Sequence, residues 1–90
     1  MKKINLGISG CMGRMGRQLI KSSKKNTSFN LKVLTENRSI NRKINGIKPV
    51  FNTENAFKKT DVIIDFTIPN CTLDILKIAS KLKTKVVIGT

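Results

Sequence analysis

Four short apolar runs, Ile4–Ser9, Leu31–Thr35, Val62–Phe66 and Val86–Ile88, alternate along the chain with segments of helical periodicity. Each run is rich in Ile, Val or Leu and stops at glycine, proline or a polar residue, which reads as a strand entering a turn. The last two are nearly continuous apolar stretches, the pattern of strands buried on both faces of a parallel sheet rather than of one-sided hairpins. After Gly13, Met15, Leu19 and Ile20 share one side while Arg17, Lys21, Lys24 and Lys25 take solvated positions, which predicts an amphipathic helix. Asn70 is placed to N-cap another helix, with Leu73, Ile75, Leu76, Ala79 and Leu82 on its inner side. Phe51 to Lys59 holds a weaker element, a short helix capped by Thr53. Strand and helix alternate throughout, so the expected class is α/β with a parallel sheet flanked by helices.

The first strand ends in Gly10-Cys11-Met12-Gly13-Arg14-Met15-Gly16, three glycines joining a strand to a helix. Without a Cβ, a backbone there can adopt positive φ, approach a phosphate closely and let the helix pack tightly on the strand. The first free N–H groups of the helix then face an anion. The spacing is G-x-x-G-x-x-G rather than G-x-G-x-x-G, a variant dinucleotide fingerprint that a plain strand–helix turn could also produce. Context supports the binding role. Glu36 closes the next apolar run about 20 residues beyond the glycine loop, where an acid accepts hydrogen bonds from adenosine ribose hydroxyls. Ligands of such sheets lie beyond the carboxyl ends of the strands, and Gly10, Glu36, Phe66-Thr67 and Gly89-Thr90 all fall there.

Gly10 through Arg17, followed by Asp65-Phe66-Thr67-Ile68-Pro69 and by Val87-Ile88-Gly89-Thr90, resembles the N-terminal half of the bacterial dihydrodipicolinate (4-hydroxy-tetrahydrodipicolinate) reductase family of lysine and diaminopimelate biosynthesis. The likeness runs through the whole chain in order. It implies a Rossmann-like domain over residues 1–90, apparently an N-terminal fragment truncated before a C-terminal domain that holds substrate and builds a homotetramer. By the same resemblance Gly10, Cys11, Met12, Gly13, Arg14, Met15 and Gly16 form the pyrophosphate loop, Glu36 and Asn37 flank the adenosine ribose, and Phe66, Gly89 and Thr90 border the nicotinamide. The family often places arginine directly after the acid, where this chain has Asn37, with Arg38 one place later. A carboxylate beside a 2′-phosphate is repulsive unless a guanidinium offsets it, so NAD(H) is the expected preference, with Arg14, Arg38 or Lys43 available for NADP(H).

No catalytic residue is expected in this chain. It contains no His, and Asp65 has no partner for general acid–base work. The implied reaction is an NAD(P)H-dependent reduction of 4-hydroxy-tetrahydrodipicolinate to tetrahydrodipicolinate, for which this chain alone would supply cofactor binding. The residues by themselves leave open a non-catalytic dinucleotide-binding module or another Rossmann oxidoreductase.

A formal charge of +13, from 18 basic and 5 acidic residues, raises nucleic acid as a partner. Against it stand the scatter of Lys over helices and loops, the excess of Lys over Arg, and the absence of Trp and Tyr for base stacking. The polar, basic stretch Asn37 to Lys48 reads as a solvated surface loop. Cys11 and Cys71 have neither C-x-x-C spacing nor a His partner, so no metal or redox pair is expected; they read as small buried side chains in a reducing compartment. Met1-Lys2-Lys3 ahead of Cys11 imitates a lipoprotein signal, but the intervening segment is too short and contains Asn5. No apolar stretch approaches the roughly 20 residues needed to cross a bilayer. The expectation is a cytoplasmic protein with a small-molecule partner and no membrane contact.

Overall fold

All four apolar runs become strands in the computed structural model, which describes residues 3–89. In chain order the elements are β1 (Ile4–Ser9), α1 (Arg14–Lys25), β2 (Phe29–Thr35), α2 (Glu54–Phe57), β3 (Val62–Asp65), α3 (Pro69–Leu82) and β4 (Lys85–Ile88). The strands form one parallel sheet in the order β2-β1-β3-β4. The connection through α1 leads to one side of β1, and the next connection returns to its other side. The chain therefore reverses direction between β1 and β3, and such a switch point opens a crevice at the carboxyl ends of the strands.

The register makes this crevice level. Ser9 pairs with Thr35 on one side and with Asp65 on the other, and Asp65 pairs with Ile88. The next residue of each strand, Gly10, Glu36, Phe66 or Gly89, consequently emerges at a common height.

Alternation along the strands divides the core between the two faces. Leu6, Ile8 and Leu34 pack with Ile20 and Cys11 under α1. Val33 and Ile63 pack on the opposite face with Phe57, Ile75 and Ala79 from α2 and α3. β4 departs from the expectation of two-sided burial: Val87 and Ile88 are 54% and 47% exposed. Val87 pairs with Ile64 on the face that α1 covers, but on that face α1 packs over β1 and β2, away from the β4 edge.

Both long helices are rotated relative to the sequence expectation. On α1 the buried positions are Gly16, Ile20 and Ser23, while Met15 is exposed. The smallest residue faces the sheet because the glycine loop passes directly beneath it. On α3 the buried positions are Thr72, Ile75 and Ala79, with Leu82 partly covered, whereas Leu73 and Leu76 face outward. The cap also differs: Ile68 is the N-cap, with Pro69 at the first helical position and Asn70 inside the helix. Proline lacks the N–H that this position leaves unpaired, and it drives the preceding residue into extended backbone, as seen in the Ile68 angles of −75° and 160°. Thr53 does cap α2, its hydroxyl accepting the Ala56 N–H at 3.1 Å.

The rotation of α3 has a polar cause. Asp65 is fully buried at the end of β3. Its carboxylate accepts the Thr67 N–H at 2.9 Å and the hydroxyls of Thr67 and Thr72. The Thr72 bond turns the first turn of α3 inward and leaves Leu73 outside.

Cys11 is fully buried as well. Removal from water and the nearby Glu36 carboxylate push its thiol up from 9.0 to about 11. Two outcomes follow. Asp65→Ala strips three donors of their acceptor and is expected to cost about 3 kcal/mol in urea unfolding; a loss below about 1 kcal/mol would contradict the anchoring role. Because the folded state keeps a proton on Cys11 that the unfolded chain releases, stability should fall as pH rises from 9 towards 11. Cys11→Ser should flatten that slope in unfolding titrations, and an unchanged slope would exclude Cys11 as its source.

Candidate functional site

The strand ends enclose a cavity of about 260 Å³ lined by Gly10, Gly13, Glu36, Asn37, Phe66, Thr67 and Ile68. It lies at the switch point between β1 and β3. A larger cleft, about 450 Å³, lies on another side of α1.

The loop after β1 is held by its own backbone. The N–H groups of Gly10 and Cys11 both donate to the Thr35 carbonyl, at 2.9 and 3.2 Å, and the Gly13 N–H donates to the Gly10 carbonyl at 3.1 Å. Gly10 has φ of +82°, and a Cβ there would stand 2.9 Å from the Phe66 carbonyl oxygen. A Cβ on Gly16 would collide with the Gly10 carbonyl oxygen. These two positions require glycine on steric grounds. Gly13 differs: a Cβ there would meet only the Gly10 carbonyl oxygen, at an ordinary 3.5 Å. Its missing side chain opens the cavity it lines.

Gly13 is the N-cap of α1 and offers no side-chain cap, and the first turn carries no acid. Among the described residues no acceptor meets the N–H groups of Arg14, Met15 and Gly16. Such a helix end carries partial positive charge, and its free donors form a cradle for an anionic oxygen.

Glu36 is half-buried beside that cradle. One carboxylate oxygen accepts the Met12 N–H at 3.1 Å and the other accepts the Asn37 N–H at 3.0 Å. The acid thus braces the loop while facing the cavity. Val50 reinforces its position, donating to the Leu34 carbonyl and accepting the Glu36 N–H, both at 3.0 Å.

The remaining wall comes from the chain after β3. Phe66 donates its N–H to the Ser9 carbonyl at 3.1 Å, and its ring lies so close to Gly89 that any Cβ there would overlap it. Thr67 is fixed by Asp65, and Ile68 is exposed over the mouth. The sequence placed Thr67 with Phe66 at the carboxyl end of its strand, whereas Ile68 did not stand out as a contact residue. The signal for Ile68 was Pro69, which extends the backbone just before α3 and swings Ile68 over the crevice.

Of the residues singled out in the sequence, Gly10, Gly13, Glu36, Asn37 and Phe66 converge on the cavity. Gly16 lies beneath the loop, and Arg14 and Met15 are exposed on the first turn of α1. The side chain of Cys11 points into the core and its N–H is committed to Thr35. Met12 reaches the site through its N–H. Thr90 lies outside the described residues. Among those residues no cluster of His, Cys, Asp and Glu could hold a metal ion, and no helix is long and apolar enough to cross a membrane.

Residues 4–90 match the family described as "Dihydrodipicolinate reductase, N-terminus". A 4-hydroxy-tetrahydrodipicolinate reductase of Pelagibacter ubique is 76% identical over 90 residues, which is 100% of this chain and 35% of that protein. One from Wolbachia sp. subsp. Drosophila simulans is 36% identical over 97 residues, covering 98% of this chain and 37% of its own length. Among solved structures, dipicolinate-bound dihydrodipicolinate reductase from Paenisporosarcina sp. TG-14 superposes with a TM-score of 0.81 at 23% identity, over 99% of this chain and 38% of that one. Aspartate semialdehyde dehydrogenase with NADP from Candida albicans gives 0.74 at 16% identity, over 99% of this chain and 30% of that one. At those identities the structural likeness shows the fold, a Rossmann-like parallel sheet with flanking helices. The chain spans little more than a third of the length of the curated relatives it matches. With the family's description matched across residues 4–90, the chain belongs to the dihydrodipicolinate reductase N-terminus family.

Proposed function

We propose that this chain is the cofactor-binding portion of an NAD(P)H-dependent reductase that converts 4-hydroxy-tetrahydrodipicolinate to tetrahydrodipicolinate in lysine biosynthesis. The observation that carries the reading is the pairing of three free helix N–H groups with Glu36 across one glycine loop, at the switch point of a parallel sheet. The names of the relatives support the substrate.

The residues fit a dinucleotide. The N–H groups of Arg14, Met15 and Gly16 suit a pyrophosphate, with Gly13 leaving room for its close approach. Glu36 accepts from the adenosine ribose hydroxyls, exchanging the Met12 and Asn37 donors it holds here for ligand hydroxyls. Phe66, backed by Gly89, gives an aromatic wall beside the nicotinamide, with Thr90 next in the chain. When bound, the reduced nicotinamide supplies a hydride.

The protein's part in that step is orientation. Holding donor and acceptor in reacting geometry contributes about 7–11 kcal/mol in well-oriented systems. A proton must also reach the developing anion. The chain contains no His, and the Asp65 carboxylate is taken up by three internal donors. Substrate contacts and the proton donor therefore come from another part of the protein, in the portion of the relatives beyond this stretch. The 90 residues alone bind cofactor without turnover. A cytoplasmic homotetramer is the assembly we assign to the whole protein, on the family resemblance.

Glu36 also bears on cofactor choice. Its carboxylate would sit beside a 2′-phosphate, and the residue that follows is Asn37 rather than an arginine. We assign a preference for NAD(H), with NADP(H) accepted more weakly through Arg14, Arg38 or Lys43.

Sequencing the source gene through codon 90, with the intact mass of the native protein, tests the reading. Continuation into a His- and Lys-bearing domain supports the reductase, and a stop leaves a dinucleotide-binding module. In fluorescence titrations NADH should bind several-fold tighter than NADPH; tighter NADPH binding would overturn the assigned preference. Glu36→Ala should weaken NADH about tenfold or more, the cost of losing charge-assisted hydrogen bonds. Gly13→Ala should leave the melting temperature nearly unchanged yet reduce NADH affinity, and unaltered affinity would remove the glycine loop from the site.

A further inference from the structure

The positive charge of this chain is concentrated in the first half of the sequence. Residues 1–48 carry 12 of the 18 Lys and Arg but only one of the five acids, Glu36. No Asp or Glu occurs on α1 or between Asn37 and Thr53. These two segments face each other across the cleft of about 450 Å³. Arg17 and Lys21 form one wall, Arg42 and Lys43 the other, and Ile20 and Ile44 lie between them.

The loop that carries Arg42 and Lys43 is pinned. Ile44 and Ile47 exchange both backbone hydrogen bonds, at 2.8 and 3.0 Å. Between them Asn45 and Gly46 have φ of 53° and 77°, the signs of a type I′ turn, for which Asn-Gly is the favoured pair. Ile44 and Ile47 also pack on the core beneath α1. The expected featureless loop is therefore a small hairpin that holds two cations opposite two others.

That arrangement is self-repulsive. Arg17 and Lys21 are one helical turn apart, where like charges disfavour one another. Among the described residues no acid lines the cleft, and the salt bridge between Lys81 and Glu54 joins α3 to α2. The described residues that line the cleft supply no counter-charge of their own.

We propose that this cleft binds a compact polyphosphate anion, the class represented by inorganic triphosphate. Four cations balance the roughly four negative charges of a triphosphate, whereas a single phosphate would leave half of them unanswered. Guanidinium groups pair phosphate oxygens through two parallel bonds, and the isoleucine floor displaces water and strengthens the attraction. A concave site with no Trp or Tyr nearby suits a small anion better than a nucleic-acid strand.

Calorimetric titration of the full chain with inorganic triphosphate, at near-physiological salt, tests this. The wild type should bind saturably, one to one. The Arg42→Glu/Lys43→Glu pair should lose at least about tenfold in affinity, and Arg42→Gln/Lys43→Gln a smaller amount. Lys24→Glu/Lys25→Glu, which changes the net charge equally at the far end of α1, should lose less than about twofold. Melting curves establish that each variant is folded, and the neutral pair carries the test if the reversed pair is not. Absence of saturable binding, or equal losses in the cleft and control variants, would overturn the proposal. A cleft variant that weakens NADPH but leaves triphosphate unchanged would also overturn it, assigning the cleft to the dinucleotide 2′-phosphate. Tighter binding of duplex DNA with the same variant sensitivity would assign the face to nucleic acid instead.

Discussion

The contact of backbone against backbone at the end of β1 governs the rest of the molecule. Gly10 turns with positive φ beneath the Phe66 carbonyl, and α1 descends until Gly16 meets the Gly10 carbonyl. An L-residue at Gly10 would cost about 1–2 kcal/mol in conformation alone, before any clash. The same approach decides which side of α1 is buried. With Gly16 against the loop, Ile20 and Ser23 turn inward and Met15 turns out. Side-chain packing then follows from this backbone geometry, and the helix start that results carries free donors.

A second constraint, polar rather than steric, orients the other half. Asp65 is a carboxylate buried at the end of a central strand, and it is tolerable there because three donors surround it. Those donors come from the Phe66–Thr72 connection, so satisfying the charge also fixes the wall of the cavity. Pro69 cooperates by ending the extended segment at Ile68.

The four strands, their alternation with helices and the glycine turn after β1 were legible because each leaves a local signature. Short β-branched runs, glycines at fixed offsets and an acid at a strand end all express geometry within a few residues. Helix rotation was not legible in the same way. Leu73 and Leu76 look like core by hydrophobicity, yet Thr72 is inside because a carboxylate seven residues earlier binds it. Met15 looked like core for the same reason and lost the position to Gly16. The Asn45-Gly46 turn was different again, since its signature was present in the sequence but concealed within a basic stretch.

Glu36 is the single acid among residues 1–48, the more basic half of the sequence. Its two carboxylate oxygens take the N–H groups of Met12 and Asn37, one each. A neutral ribose hydroxyl can replace those donors with little change in charge. Under the NAD(H) preference proposed above, a second phosphate on that ribose is disfavoured, because it would set two anionic groups side by side. Met12 spans the two neighbourhoods, its N–H on Glu36 and its side chain in the basic cleft. One residue thus joins the acid that braces the glycine loop to the cleft lined by Arg17, Lys21, Arg42 and Lys43.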